Sequence, residues 1–423
     1  MSRVPAHLME FPTWAEVDLD RFRRNLEAIR AATGGTRRIL LVVKADAYGH
    51  GAVEIARHAI ANGVSMLGVA TLHEGIELRG AGISAPIVVL SPALLSEVDE
   101  IIEHRLTPCV ATLPFAERLS ERCQAHQVLA RFHVEVDTGM GRTGVGDAEA
   151  VAFIERLVTL PNLVLEGVFT HFPDADRGET AFTEAQLARY HAVLRDLALR
   201  KIDVPIRHAA NSAGLLSVAA SHLDMVRPGI LAYGAYPTAD VARAVKVEGI
   251  LTFKSRIVQI REHPPGQNIS YGRTYETTRW TRVAVLPVGY GHGYPWALGN
   301  RGEVLVRGRR APILGRVTMD LTMVDVSGIP DARIEDEVVL WGEQRGAKLD
   351  LNEVAERAQT IPYELLCGMG KRVVRIFLQA GEPTKVVTLI GERRELEVVE
   401  TGTGPGDRRK RRRIEYKNVR GNP

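Results

Sequence analysis

Lys44 is the residue around which chemistry can be built. It follows an apolar run, Ile39–Val43, that reads as a buried β-strand, and it opens the turn KADAYGHG, after which a helical pattern begins at Ala52. An amine at the carboxyl end of a parallel strand stands on the rim where ligands collect, and there it can form a Schiff base with a carbonyl. A lysine so placed on its own is more often a surface residue after a core strand. Tyr48, four residues on, and other polar residues at equivalent positions shift that balance: His171 after the sixth apolar run, Asn211-Ser212 after the seventh, and Arg227-Pro-Gly229-Ile230 after the eighth. Each has an ordinary alternative, His171 as a satisfied core histidine, Ser212 as a helix cap, Gly229 as a turn. Taken together, the Ser212 hydroxyl and the backbone N–H groups at Gly229 and Ile230 fit a phosphate cradle. A reactive lysine and a phosphate cradle on one rim suggest pyridoxal 5'-phosphate, whose aldehyde and phosphate need these two sites.

The elements that must position these residues follow a rhythm. Apolar runs near 39–43, 66–70, 86–90, 106–110, 130–137, 163–170, 206–210 and 223–227 alternate with helical segments such as 52–62, 94–105, 113–127, 148–160 and 183–201. Eight alternations predict a closed (β/α)8 TIM-type barrel rather than an open sheet, within residues 1–245. An N-terminal strand within EFPTWAEVDLD is available to the domain that follows. Residues 246–380 change character, with short β-rich runs broken by Gly, Pro and Asp and a helical insert near 351–359, and predict a mostly β C-terminal domain. Residues 381–423 include VVTLIG and ELEVVE, which alternate like strands. They end in the basic run Arg408–Arg413 and are predicted to be a disordered basic tail. Gly139-Met-Gly141-Arg142-Thr-Gly144 matches GxGxxG, with Glu166 where a ribose-binding acid would stand. It falls at the fifth strand rather than at the head of a dinucleotide-binding half, so its glycines are read as a turn presenting Arg142 to a carboxylate.

Composition bounds the remaining possibilities. The 423 residues, 45% hydrophobic and 25% charged, suffice for two globular domains. No apolar run approaches the roughly 18 to 20 residues of a membrane span, and MSRVPAHLMEFPTW lacks a signal-peptide core, so a soluble, cytoplasmic protein without membrane partners is expected. Cys109, Cys123 and Cys367 are too few and scattered for a disulfide framework or a zinc site, and no metal is expected. The net charge of +3 is concentrated at the end: residues 384–423 hold eleven Lys and Arg against six Asp and Glu. The body gives no reason to invoke nucleic acid, beyond weak non-specific contact through that tail.

VVKADAYGHG, VDTGMGRTGV, THF, ANSAG, RPGI, ISYGRTYE and GRVTMDLTMVD occur in the order seen in alanine racemases. The chain resembles that family over roughly residues 10 to 378. The resemblance implies a pyridoxal-phosphate enzyme that interconverts L- and D-alanine, supplies D-alanine for peptidoglycan, and works as a homodimer with shared active sites. It implies that Lys44 holds the cofactor and serves as one base, and that Tyr271 of the partner chain is the other. A tyrosine titrates ordinarily near pH 10 and needs help to act as a base, which the resemblance assigns to His171. Arg142 and the Met319 N–H correspond to the substrate-carboxylate site, and Tyr48, Ser212, Gly229, Ile230 and Tyr363 to the phosphate site. Arg227 corresponds to the residue facing the pyridine nitrogen, with Asn211, Asp320 and Tyr290 in support. Where the family often carries a lysine modified to a carbamate, this chain has Glu135. Where GYADG is commoner it reads VGYGHGYPW, which leaves the gate around Tyr290 and Trp296 open. Alternatives are a serine or broad-specificity racemase of the same family, a related barrel decarboxylase, and a non-catalytic pyridoxal-phosphate-binding protein.

Overall fold

The computed structural model describes residues 10–238, 241, 243–401 and 408–417, without side chains for 394–401 and 408–414. Residues 1–9, part of the stretch read as lacking a signal peptide, and most of the TGTGPGD stretch lie outside the described residues. The chain divides into two compact units, one spanning Phe22–Glu248 and the other comprising the described residues before and after it.

The Phe22–Glu248 unit is a closed parallel barrel. Its strands are Arg38–Val42, Met66–Val69, Ile87–Pro92, Thr107–Cys109, Ala130–Asp137, Leu163–Phe169, Ile206–His208 and Met225–Val226, each paired parallel with the next. Met225–Val226 pairs back onto Arg38–Val42 and closes the ring. The strands are apolar over consecutive residues because they are covered on both faces, and Leu40, Leu67, Val88, Phe132 and Val168 are fully buried. The intervening helices carry their apolar residues on one stripe. In Ala52–Ala61 the buried positions are Ala52, Ile55, Ala56 and Ala59, the spacing of a single helical face. Helix Leu72–Gly80 starts at a reciprocal cap in which Thr71 accepts the Glu74 N–H while the Glu74 carboxylate accepts the Thr71 N–H.

The second unit is mostly β. Its largest sheet runs in the order Arg309–Pro312, Glu303–Val306, Glu337–Gln344, Leu251–Arg256, Thr13–Asp18, Val374–Gln379, Glu382–Thr388, Gly391–Thr401, Arg408–Lys417. The N-terminal strand lies in the middle of it, antiparallel to Leu251–Arg256 and parallel to Val374–Gln379, with Trp14 packed on Val374, Ile376 and Val386. A separate antiparallel sheet joins Gln259–His263, Thr281–Leu286 and Thr322–Asp325.

The predicted disorder after residue 380 is corrected by this sheet. Glu382–Thr388 pairs with Val374–Gln379, and Gly391–Thr401 and Arg408–Lys417 extend the sheet as an antiparallel ribbon. In its register Glu392 stands opposite Lys417, Arg394 opposite Glu415, Glu397 opposite Arg412 and Glu400 opposite Arg409. Among the described residues, no helix is long and apolar enough to cross a membrane, and no group of His, Cys, Asp and Glu could hold a metal ion.

Candidate active site

The barrel's first loop is held in an unusual shape. Ala45, Asp46, Ala47 and Tyr48 all take left-handed backbone conformations, with φ between 51° and 55°. Such a conformation costs roughly 1–2 kcal/mol per non-glycine residue, so the neighbours must impose it. The Glu74 carboxylate accepts the Ala45 N–H at 2.7 Å, and the Asp46 carboxylate accepts the Ala52 N–H at 2.8 Å. His50 Nδ1 donates to the carbonyls of Ala47 and Tyr48, while its ring stacks on Tyr233, whose hydroxyl bonds the Val42 carbonyl. The result is a clamped turn that starts at Lys44, two residues beyond the first strand. Glu74 was missed in the sequence reading, although Thr71-x-x-Glu74 is a legible capping signature.

The loops after the seventh and eighth strands meet at Ser212. Its hydroxyl oxygen accepts the N–H groups of Gly229 at 3.0 Å and Leu231 at 3.4 Å, which leaves its own proton to donate elsewhere. A Cβ on Gly229 would lie 2.6 Å from the Tyr48 hydroxyl oxygen, so only glycine allows the tyrosine to sit there. Ile230 is fully buried, and no hydrogen bond among the described residues uses its N–H. Asn211, not Ser212, caps the short helix Ser212–Ser217: its side chain accepts the Gly214 N–H and donates to the Phe172 carbonyl. The donors gathered here, a hydroxyl, a phenol and a buried N–H, fit an anionic phosphate.

Arg227 is buried beside them. Its guanidinium donates to the carbonyls of Thr170 and Ala209 and to Nδ1 of His208 and His171, and lies 5.0 Å from the centre of the Phe169 ring. Burial lowers its pKa to about 10, which leaves it charged at neutral pH. His171 lies well below the ordinary histidine value, first because it is buried and then because Arg227, Arg142 and Lys44 are near. It is therefore neutral at pH 7, and since Arg227 can only donate to Nδ1, its proton sits on Nε2.

The fifth strand delivers Arg142. One Asp137 carboxylate oxygen accepts the N–H groups of Gly139, Met140 and Gly141, folding GMG into a tight loop in which Gly139, Gly141 and Gly144 all have positive φ. Arg142 emerges half-exposed, 4.0 Å from Glu135, which is only 3% exposed. The Thr143 hydroxyl donates to the other Glu135 oxygen at 2.6 Å. Burial raises the Glu135 pKa, opposed by Thr143, Arg142 and Arg227. Glu135 thus faces the interior, and the sequence reading did not foresee Thr143 as its partner.

The other candidates belong to the β unit. Tyr271 sits on a short turn after Ser270, which has φ 65°, and is 73% exposed. Met319 and Tyr290 of the same unit are also exposed, tied together where the Met319 carbonyl accepts the Gly291 N–H and the Thr318 carbonyl accepts the Tyr290 N–H. Arg316 stacks over exposed Trp296 and contacts Gly272, so this face carries several large apolar side chains. Asp320 pairs with Arg372 at 2.7 Å. Tyr363 lies half-buried on helix Pro362–Cys367.

Residues 17–237 match the family model described as alanine racemase, N-terminal domain, and residues 250–377 the one described as alanine racemase, C-terminal domain. An alanine racemase of Halothermothrix orenii is 45% identical over 364 residues, covering 86% of this chain and 96% of the relative. One from Symbiobacterium thermophilum is 44% identical over 366 residues, covering 86% and 97%. Among solved structures, alanine racemase from Clostridium difficile superposes with a TM-score of 0.87 at 35% identity, over 90% of this chain and all of that one. A Bacillus anthracis alanine racemase solved with bound L-Ala-P gives 0.85 at 34% identity, over 90% and 98%. The barrel, the β domain and these matches thus define an isomerase, of the class that racemises amino acids. Within that class, the chain belongs to the alanine racemase family.

Proposed function

We propose that this protein binds pyridoxal 5'-phosphate on the barrel rim and interconverts L- and D-alanine by moving a proton between two bases, Lys44 of one chain and Tyr271 of its partner in a homodimer. What carries the reading is the division of the candidates: Lys44, Tyr48, Ser212 and Ile230 stand on the barrel, whereas Tyr271 and Tyr363 belong to the other unit, where Tyr271 is 73% exposed. Exposed Tyr271, with Tyr290, Trp296 and Met319 exposed on the same unit, suits a face that another chain covers.

Lys44 would carry the cofactor, and the Ser212 hydroxyl, Tyr48, the Ile230 N–H and Tyr363 would hold its phosphate. Bound there, pyridoxal phosphate supplies the electron sink that acidifies the substrate Cα–H. The residues do the rest. Arg142 and the Met319 N–H bind the alanine carboxylate and so orient Cα between the bases. His171 offers its Nε2–H to the Tyr271 oxygen and, being neutral, can stabilise the phenolate without adding a competing cation. Arg227, which has only donors, would hold the ring nitrogen of a bound cofactor unprotonated. That would weaken electron withdrawal and favour prompt return of the proton to Cα over transamination. Glu135 supplies the anion beside Arg142 that a carbamate supplies elsewhere in the family. The D-alanine formed would serve peptidoglycan synthesis in the cytoplasm.

The test is purified protein with added pyridoxal phosphate, assayed in D2O against single enantiomers of alanine, serine and other amino acids. Alanine is expected to racemise fastest, with deuterium gained at Cα. Preference for serine would transfer the assignment to the broader racemases, and no turnover with a bound cofactor would support a non-catalytic carrier.

A further inference from the structure

Glu166, which stands where a dinucleotide-binding acid would, has another job in the fold. The strand Leu163–Phe169 is out of simple register with Ala130–Asp137: Phe132 faces Leu165 and His133 faces Gly167, so Glu166 is the extra residue of a bulge. A bulge re-aims a side chain. Here Glu166 Oε2 lies 3.3 Å from His133 Nε2. His133 Nδ1 lies 3.0 Å from His208 Nε2, and His208 Nδ1 lies 3.0 Å from Arg227 Nη1. Both imidazoles are fully buried, and they meet edge to face. Gly167 makes room for this arrangement, since a Cβ there would come within 2.6 Å of His133 Cε1 and 2.7 Å of Nδ1.

The direction of these bonds is fixed by chemistry. Arginine only donates, so His208 Nδ1 must be bare and its proton must sit on Nε2. That proton requires an acceptor, so His133 Nδ1 is bare as well, and His133 carries its proton on Nε2. Among the described residues, the group that receives it is the Glu166 carboxylate. The opposite tautomer of His208 would set two N–H groups against each other across 3.0 Å.

We propose that Glu166, through His133 and His208, is a positioning residue for Arg227: a one-way relay across the barrel interior that holds the guanidinium in place and thereby sets its effect on the cofactor ring. Glu166 is suited to anchor it, because it sits at a cleft at the amino ends of the strands, with Arg131 at 3.4 Å. The proposal rests on Arg227 facing the ring nitrogen. Two hydrogen-bonded core histidines with no functional consequence would show the same distances, so the test must read more than stability.

In protein labelled with 15N-histidine and freed of cofactor, two-bond 1H–15N correlations should show both His133 and His208 as Nε2–H tautomers at neutral pH. An Nδ1–H signal from either ring overturns the relay. In the holoenzyme, Glu166→Leu should lower kcat for alanine about tenfold or more, with KM changed by no more than about twofold, and should shift the absorbance of bound pyridoxal phosphate. Glu166→Gln, whose amide oxygen accepts the same bond, should recover most of kcat. Wild-type kcat and absorbance in Glu166→Leu overturn the proposal, as does a Gln variant no better than Leu. Gly167→Ala, which displaces the His133 ring without altering charge, should act in the same direction and serves if Glu166→Leu does not fold. If the tautomers are as expected but Arg227→Lys leaves the cofactor absorbance unchanged, the placement of Arg227 at the ring is wrong while the relay stands.

Discussion

Glu135 stands where the resemblance implies a modified lysine, and its surroundings say what it can do. It is buried, accepts from Thr143, and lies within reach of Arg142's charge. Glu135→Gln keeps the shape and removes the charge, so it is expected to raise KM for alanine by about fivefold, ~1 kcal/mol for an ion pair with one exposed partner. Activity should be indifferent to added bicarbonate, because no carbamate is needed. Unchanged steady-state constants in both Glu135→Gln and Glu135→Ala would show that Arg142 is positioned otherwise. At this scale the sequence was unevenly legible. Lys44, His171, Ser212 and Gly229 could be placed on the rim because each follows within two residues of an apolar run whose end can be read. His133, His208 and Glu166 could not, because a contact between residues 75 apart in the chain, made through a bulge, leaves no local pattern.

The elements show how much of the site's shape is imposed rather than intrinsic. Neither Ala nor Tyr prefers left-handed backbone, and the turn after Lys44 exists because Glu74, Asp46 and His50 hold its ends. That could not be read from propensity. The GMG loop was more legible, because its glycines announce positive φ, but Asp137 as its anchor was not. Burial alone would raise the Asp137 pKa, and the N–H donors of Gly139, Gly141 and Met140 with Arg142 outweigh it and hold the pKa below the ordinary value. A carboxylate so depressed contributes stability above about pH 3.9, its unfolded value, and loses it as pH falls through the folded one. Asp137→Asn should therefore cost about 1 kcal/mol at neutral pH, since charge-assisted bonds are roughly twice as strong as neutral ones. In thermal denaturation across pH, the gap between variant and wild type should close below about pH 4; a gap that persists there would mean the charge is irrelevant. The terminal ribbon taught the opposite lesson. Its composition signalled disorder, while the pairing of acidic against basic positions is visible only once register is known.

At the scale of the whole molecule, eight alternating runs were enough to expect the barrel, and the change of pattern near residue 246 marked the second unit. The return of Thr13–Asp18 into that unit's sheet was only hinted at, because a strand pairing with residues more than 200 positions away has no local signature. Family matches end at residue 377, and the relatives are covered almost completely while this chain is not, so the terminal ribbon is an addition. Removing residues 391–423, while keeping Glu382–Thr388 over Trp14, should leave kcat and oligomeric state unchanged by steady-state assay and light scattering; a large loss would make the ribbon part of the working enzyme. The central claim is that each site draws its two bases from two chains, and a mixed dimer tests it most directly. Lys44→Ala and Tyr271→Phe homodimers should each be nearly inactive. Dissociated, mixed equally and reassociated, they should regain roughly a quarter of wild-type activity, because half the dimers are mixed and each of these holds one intact site. No recovery, in a mixture shown by mass spectrometry to contain the mixed dimer, would contradict the account.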